Sequence, residues 1–230
     1  MGKPVTPFFS LNISEFSDIT ICGHSITQML SHWKQALNIE EPIYENLVRV
    51  FYSNIEFSFT HRVKLYTYVG GIRIAFNESE LCSILRISYG GLDLYTATKE
   101  LSFSEFHFVD GVQNICRRRD FFDDICSLSF RSQFISFQVR ILYIILQHMV
   151  TPRQGHTDEV TRLDVGLLDS LLCGRHGRHV SLSYTIICHM LSTLRVSNRS
   201  LPFGSIITRI LKHFRVPIVE PVYLETKKLG

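Results

Sequence analysis

The chain has 230 residues, 45% of them hydrophobic and 20% charged, with a formal net charge of +3. That hydrophobic share excludes a disordered polyelectrolyte, and the mild charge falls short of the strongly basic footprint that would make nucleic-acid binding follow from charge alone. Its six cysteines, at 22, 82, 116, 126, 173 and 188, form no C-x-x-C pair and follow no secretory signal, so they read as reduced thiols in a nuclear or cytoplasmic protein.

Residues 1–20 lack periodicity and carry Pro4 and Pro7, which predicts an irregular lead-in that packs only where Phe8, Phe9 and Leu11 find a surface. A helix is expected over 25–37. Pro42 suits the first turn of the next one, whose face is drawn by Ile43, Leu47, Val50 and Phe51. From Ile55 the β-branched and aromatic content changes to that of strands, giving a hairpin near 55–76 punctuated by Gly70 and Gly71. Asn77 then has the character of an N-cap, with Glu80 as its capping-box partner, and opens a short helix through Leu81, Ile84 and Leu85. The stretch 92–130 holds Phe103, Phe106, Phe108, Phe121, Phe122 and Phe130 without a clean period, which implies buried rings under short elements.

Helices follow at 131–149, 158–172, 181–195 and 203–213, with Pro152, Gly174 and Pro202 at or near their boundaries. The apolar run from Phe134 to Val150 is interrupted by Gln138, Arg140, Gln147 and His148 and is shorter than the ~20 residues a spanning helix needs, so a core helix is expected and no membrane partner. The N-x-S triplets at Asn12, Asn77 and Asn198 are discounted as glycosylation sites for want of a secretory signal, and Gly2 is a poor match to a myristoylation pattern. These elements divide the chain into a lead-in at 1–20, a domain at 21–217 and a tail at 218–230.

The run Leu47-Val48-Arg49-Val50-Phe51-Tyr52-Ser53-Asn54, then Tyr68-Val69-Gly70-Gly71-Ile72-Arg73-Ile74-Ala75-Phe76 with Leu81 and Ile84-Leu85, resembles the "putative plant transposon protein" family. A second match runs through Arg140-Ile141-Leu142, Thr151-Pro152, His156-Thr157-Asp158-Glu159-Val160-Thr161 and Leu167-Leu168, and a closing one through Leu201-Pro202-Phe203-Gly204-Ser205-Ile206-Ile207-Thr208 to Val216-Pro217. Together they cover most of residues 20–217. The chain departs from the family at Arg215, where a glycine C-cap is common, and in the Gly/Arg/His-rich loop from Gly174 to His179. The resemblance implies descent from a plant mobile element and carries no particular reaction with it.

Three constellations are candidates for chemistry. Strand transfer by two metal ions needs carboxylates converging on ions about 4 Å apart, and the available acids are Asp110, Asp123, Asp124, Asp158, Glu159, Asp164 and Asp169. Most of these fall in expected helices, and Asp158 and Glu159 are explained by favourable charge at a helix N-terminus. Cys173, His176, His179, Cys188 and His189 are zinc-ligand types at an unorthodox spacing, better read as a solvated loop and a core helix. Arg117, Arg118 and Arg119, with Arg175 and Arg178 and with Lys212 and Arg215 elsewhere, could pair with phosphate, although Asp120, Asp123 and Asp124 follow the first cluster at once. The aromatic residues do not strengthen that reading, because stacking requires exposed rings and these look buried. P-loop, G-x-G-x-x-G, G-x-S-x-G and H-E-x-x-H signatures are missing.

The expectation is therefore a mainly α (α+β) fold: a single helical domain with a small antiparallel β-hairpin element near residues 55–76. The expected role is a non-catalytic binding or assembly module with nucleic acid, a protein partner or self-association open as partners. Arg117, Arg118, Arg119, Arg175 and Arg178 are its tentative nucleic-acid contacts, and no cofactor or metal is assigned. The competing class is a divergent transposase or integrase using metal-bound carboxylates.

Overall fold

A computed structural model of the chain describes residues 3–6, 12–59, 63–97, 102–103, 106–116, 129–153, 155, 157–172, 180–196 and 200–218. Strands β1 (Thr20–Ile21) and β2 (His24–Ser25) pair antiparallel across a turn in which Cys22 and Gly23 both take left-handed backbone. Ser25 caps α1 (Ile26–Met29), its Oγ accepting the Gln28 N–H at 3.2 Å while the Gln28 side chain accepts the Ser25 N–H at 3.1 Å. A 3₁₀ turn at Ser31–Trp33 leads into α2 (Lys34–Leu37). The helix expected over 25–37 is thus broken into pieces, and the 3₁₀ turn keeps Leu30, Trp33 and Ala36, each three residues apart, on the core side.

Helix α3 (Glu45–Ser53) buries Val48, Phe51 and Tyr52 and feeds a three-stranded meander of β3 (Glu56–Phe59), β4 (Val63–Val69) and β5 (Ile72–Asn77). The β4–β5 turn has positive φ at both Gly70 (58°) and Gly71 (78°), the twist that a two-residue hairpin loop requires. Helix α4 (Glu78–Leu85) starts with the expected capping box: the Glu80 N–H donates to Asn77 Oδ1 at 2.9 Å and the Asn77 N–H to Glu80 Oε2 at 2.8 Å. Next come α5 (Leu94–Ala97), the β6 (Ser102–Phe103) and β7 (Phe106–His107) pair, and α6 (Phe108–Ile115).

Strand β8 (Ser129–Arg131) precedes α7 (Phe137–Met149) and pairs antiparallel with β9 (Glu159–Thr161), which runs directly into α8 (Arg162–Leu172). Helices α9 (Leu182–Leu194) and α10 (Gly204–His213) close the described fold. The core is one contiguous apolar cluster, from Ile21 to Val216, to which α3, the meander, α4 and every later helix from α6 on contribute. Among the described residues no helix is long and apolar enough to cross a membrane.

The mainly helical expectation is corrected to a mixed α/β architecture, since 53% of the described residues are helical and 19% lie in strands. The missed strands are two or three residues long, too short to display alternation, and β8 pairs with a segment about thirty residues along the chain. Two expected helix starts fall in strands: residue 131 is the last of β8, with α7 beginning only at Phe137, and 159–161 is β9, which precedes α8. The expected hairpin is a three-stranded sheet. Phe8, Phe9 and Leu11 lie outside the described residues; of the lead-in, Val5 forms a bridge to Leu201.

Candidate nucleic-acid interface

The sequence of β4, Val-Lys-Leu-Tyr-Thr-Tyr-Val, alternates, and a strand sends successive side chains to opposite faces. Val63, Leu65, Thr67 and Val69 are buried, joined from β5 by Ile74 and Phe76. Thr67, the one polar residue in that set, donates its hydroxyl to the Phe51 carbonyl of α3 at 2.8 Å, so its burial leaves no unpaired hydroxyl hydrogen.

The opposite face follows from the register. Lys64 lies between Ser58 and Asn77, Tyr66 between Glu56 and Ala75, and Tyr68 beside Arg73. Lys64 Nζ stands 5.8 Å and the Arg73 guanidinium carbon 5.4 Å from the centre of the Tyr66 ring, so two cations flank one half-buried aromatic. Tyr68 is 49% exposed, and its backbone carbonyl accepts the Asn54 side-chain amide at 2.7 Å, which ties this end of the strand to α3. Exposed Arg215 follows α10, and the next residue, Val216, packs its Cγ1 3.6 Å from where a Cβ would stand on Gly70; that places Arg215 near the Tyr68 end of the sheet. The expectation that the rings are buried is wrong here, and the signal that would have corrected it was the period-two pattern of β4 itself.

The expected nucleic-acid contacts Arg117, Arg118, Arg119, Arg175 and Arg178 lie outside the described residues, as do Asp123, Asp124, Cys173, His176 and His179. Lys212 is described and is engaged with Glu41, at 2.5 Å, beside the Arg209–Glu41 pair at 3.6 Å. Of the acids, Asp110 and Asp158 are exposed, and Glu159 accepts the Ser129 hydroxyl across the β8–β9 pair. Asp164 is fully buried, and its Oδ2 receives Arg153 Nη2 at 2.5 Å, the Thr161 N–H at 2.7 Å and the Thr161 hydroxyl at 2.6 Å. With the Asp164 N–H 3.4 Å from Thr161 Oγ1, this is the capping box of α8, a structural duty that the spacing Thr161-x-x-Asp164 encodes. Asp169 accepts the Asn114 amide at 2.7 Å and joins α8 to α6. Among the described residues no three His, Cys, Asp or Glu side chains are grouped to hold a metal ion.

His189 is a core tie between segments. Its Nε2 donates to the Pro152 carbonyl at 3.0 Å, the Tyr95 hydroxyl lies 3.3 Å from Nδ1, and the Phe203 ring meets it edge-on at 5.7 Å. Burial raises the Tyr52 hydroxyl well above its usual range; that hydroxyl donates to the Pro202 carbonyl at 2.9 Å. Burial also pushes the Cys82 thiol up and takes Cys116 to about 11.

The residues that carry the family resemblance meet one another in space. Tyr52 of the first run bonds Pro202 of the closing run, and that closing run also meets the segment just before the first one: Thr208 donates to the Pro42 carbonyl at 2.7 Å, and Gly204 lies so close to Ile43 that a Cβ there would stand 2.7 Å from its Cγ2. A model of the family described as "Putative plant retrotransposon-related domain" matches residues 29–217. The chain belongs to this plant retrotransposon-related family. No curated protein and no solved structure matches it. The family motifs therefore reach the joint between α3, α10 and the sheet, and they also include Tyr68 and Arg73 on its outward face, whereas Lys64 and Tyr66 of that face lie outside the quoted runs.

Proposed function

We propose that this retrotransposon-related domain is a non-catalytic binding module that contacts nucleic acid through the outward face of the β3–β4–β5 sheet. The observation that carries the reading is the combination of Lys64, Arg73, Tyr66 and exposed Tyr68 on one face, cations for phosphate beside rings for bases. The non-catalytic part is supported by the duties of the described acids: Asp164 and Asp169 are spent on a helix cap and an interhelical hydrogen bond.

The test is binding to labelled single- and double-stranded DNA and RNA across a salt series, comparing the wild type with Lys64→Ala/Arg73→Ala and with Arg117→Ala/Arg118→Ala/Arg119→Ala. Salt-sensitive binding is expected, and losing two phosphate contacts lowers the slope of log affinity against log salt by roughly 1 to 2. The triple-arginine variant reports whether that cluster widens the same footprint. Absence of binding at low salt overturns the proposal.

A further inference from the structure

We infer that the ligand of this face is a single strand in extended form, with successive bases placed on Tyr66 and Tyr68; the inference rests on the nucleic-acid reading above. The two tyrosines are two residues apart on one side of β4, which sets their attachment points about 6.8 Å apart. Bases along one strand of a duplex are about 3.4 Å apart and cover each other's faces, so a duplex has no exposed base to offer either ring. A splayed strand has both the spacing and the free faces.

The row of side chains across each ring fixes the path of the backbone. Glu56 borders Tyr66 on the β3 side and repels phosphate, while Ala75 on the β5 side leaves room beside the ring. Arg73 of β5 stands next to Tyr68, and Lys64 lies two residues before Tyr66 on the same face of β4, so the phosphates follow the β5 side and the bases lie inward over β4. The two rings then differ in what a base must displace. Tyr66 already has Lys64 and Arg73 near its ring, so a base arriving there exchanges a cation contact for a stack. Tyr68, at 49% exposure, takes a base more directly and should give the larger effect.

The experiment is fluorescence anisotropy with labelled ten-nucleotide oligo(dT) and oligo(U) and with a hairpin duplex of matched charge, using the full chain. Tyr68→Ala, Tyr68→Phe, Tyr66→Ala and Glu56→Gln are compared with the wild type, each first checked for an unchanged melting temperature. The expected result is preference for single strands over duplex, a loss of about 5- to 150-fold for Tyr68→Ala, a smaller loss for Tyr66→Ala, near-wild-type binding for Tyr68→Phe and a gain for Glu56→Gln. The dT and U arms show whether a 2′-hydroxyl contributes. Equal binding of duplex and single strand, or single-strand preference that survives Tyr68→Ala, overturns this inference and leaves the broader nucleic-acid reading standing. Failure to bind any of the three ligands overturns both.

Discussion

The two faces of the central sheet are built from the same seven-residue strand and have opposite chemistry. On the inner face Leu65, Thr67 and Val69 interlock with α3 and the core. On the outer face Lys64, Tyr66, Tyr68 and Arg73 meet solvent and hold no part of the core together. The quoted family runs reach both faces, since Tyr68 and Arg73 lie within them while Lys64 and Tyr66 do not, so recognition of the family did not by itself single out the outer face.

A matched pair of truncations separates the two faces most strongly. Phe76→Ala on the inner face removes a fully buried ring and should cost about 3–5 kcal/mol, whereas Tyr68→Ala on the outer face should stay within about 0.5 kcal/mol; urea unfolding of both measures the difference. Comparable losses would mean the outer face is structural. Next in size is Gly204→Ala, which drives a methyl group against Ile43 at the α10 joint and should cost about 1–3 kcal/mol by thermal melting without altering oligonucleotide affinity.

A third effect is alkaline. Cys116, and with it Cys82, Tyr52 and Tyr143, are held neutral by burial above their ordinary ionisation ranges. The unfolded chain gives up these protons first, so the stability they contribute is intact below the ordinary thiol range and declines as pH rises through it. For Cys116 that window runs from 9.0 to about 11. Denaturation midpoints should fall across it, and Cys116→Ser should flatten part of the fall. The smallest effect has the opposite sign: Arg86 ends α4 in left-handed backbone at φ 58°, with the Ile87 N–H on the Cys82 carbonyl, so Arg86→Gly should raise stability by about 1 kcal/mol.

Local signals were the ones legible in the sequence. The Asn77/Glu80 capping box spans four residues and appeared as expected, and α9 and α10 start within a residue of where they were drawn. Arg215, singled out as a departure from glycine, does take the left-handed conformation that glycine favours, with φ 57° and the following N–H on the Leu211 carbonyl. The β8–β9 pair was not legible because three-residue strands on either side of a thirteen-residue helix leave no local period. Consequently Asp158 and Glu159 were assigned to a helix start that lies three residues later, where Thr161 and Asp164 cap it. The candidate site was written in the alternation of β4, yet aromatic abundance suggested burial, and only the register separates Tyr66 and Tyr68 from the core.

The measurement that bears most directly on the outer face is photo-crosslinking of the full chain to a 4-thiouridine-substituted oligonucleotide, followed by peptide mapping of the adduct. If the outer face binds nucleic acid, adducts fall on the peptide containing Tyr66 and Tyr68 and are lost in the Lys64→Ala/Arg73→Ala variant. Adducts confined to other segments, the Arg117–Arg119 cluster among them, would contradict it.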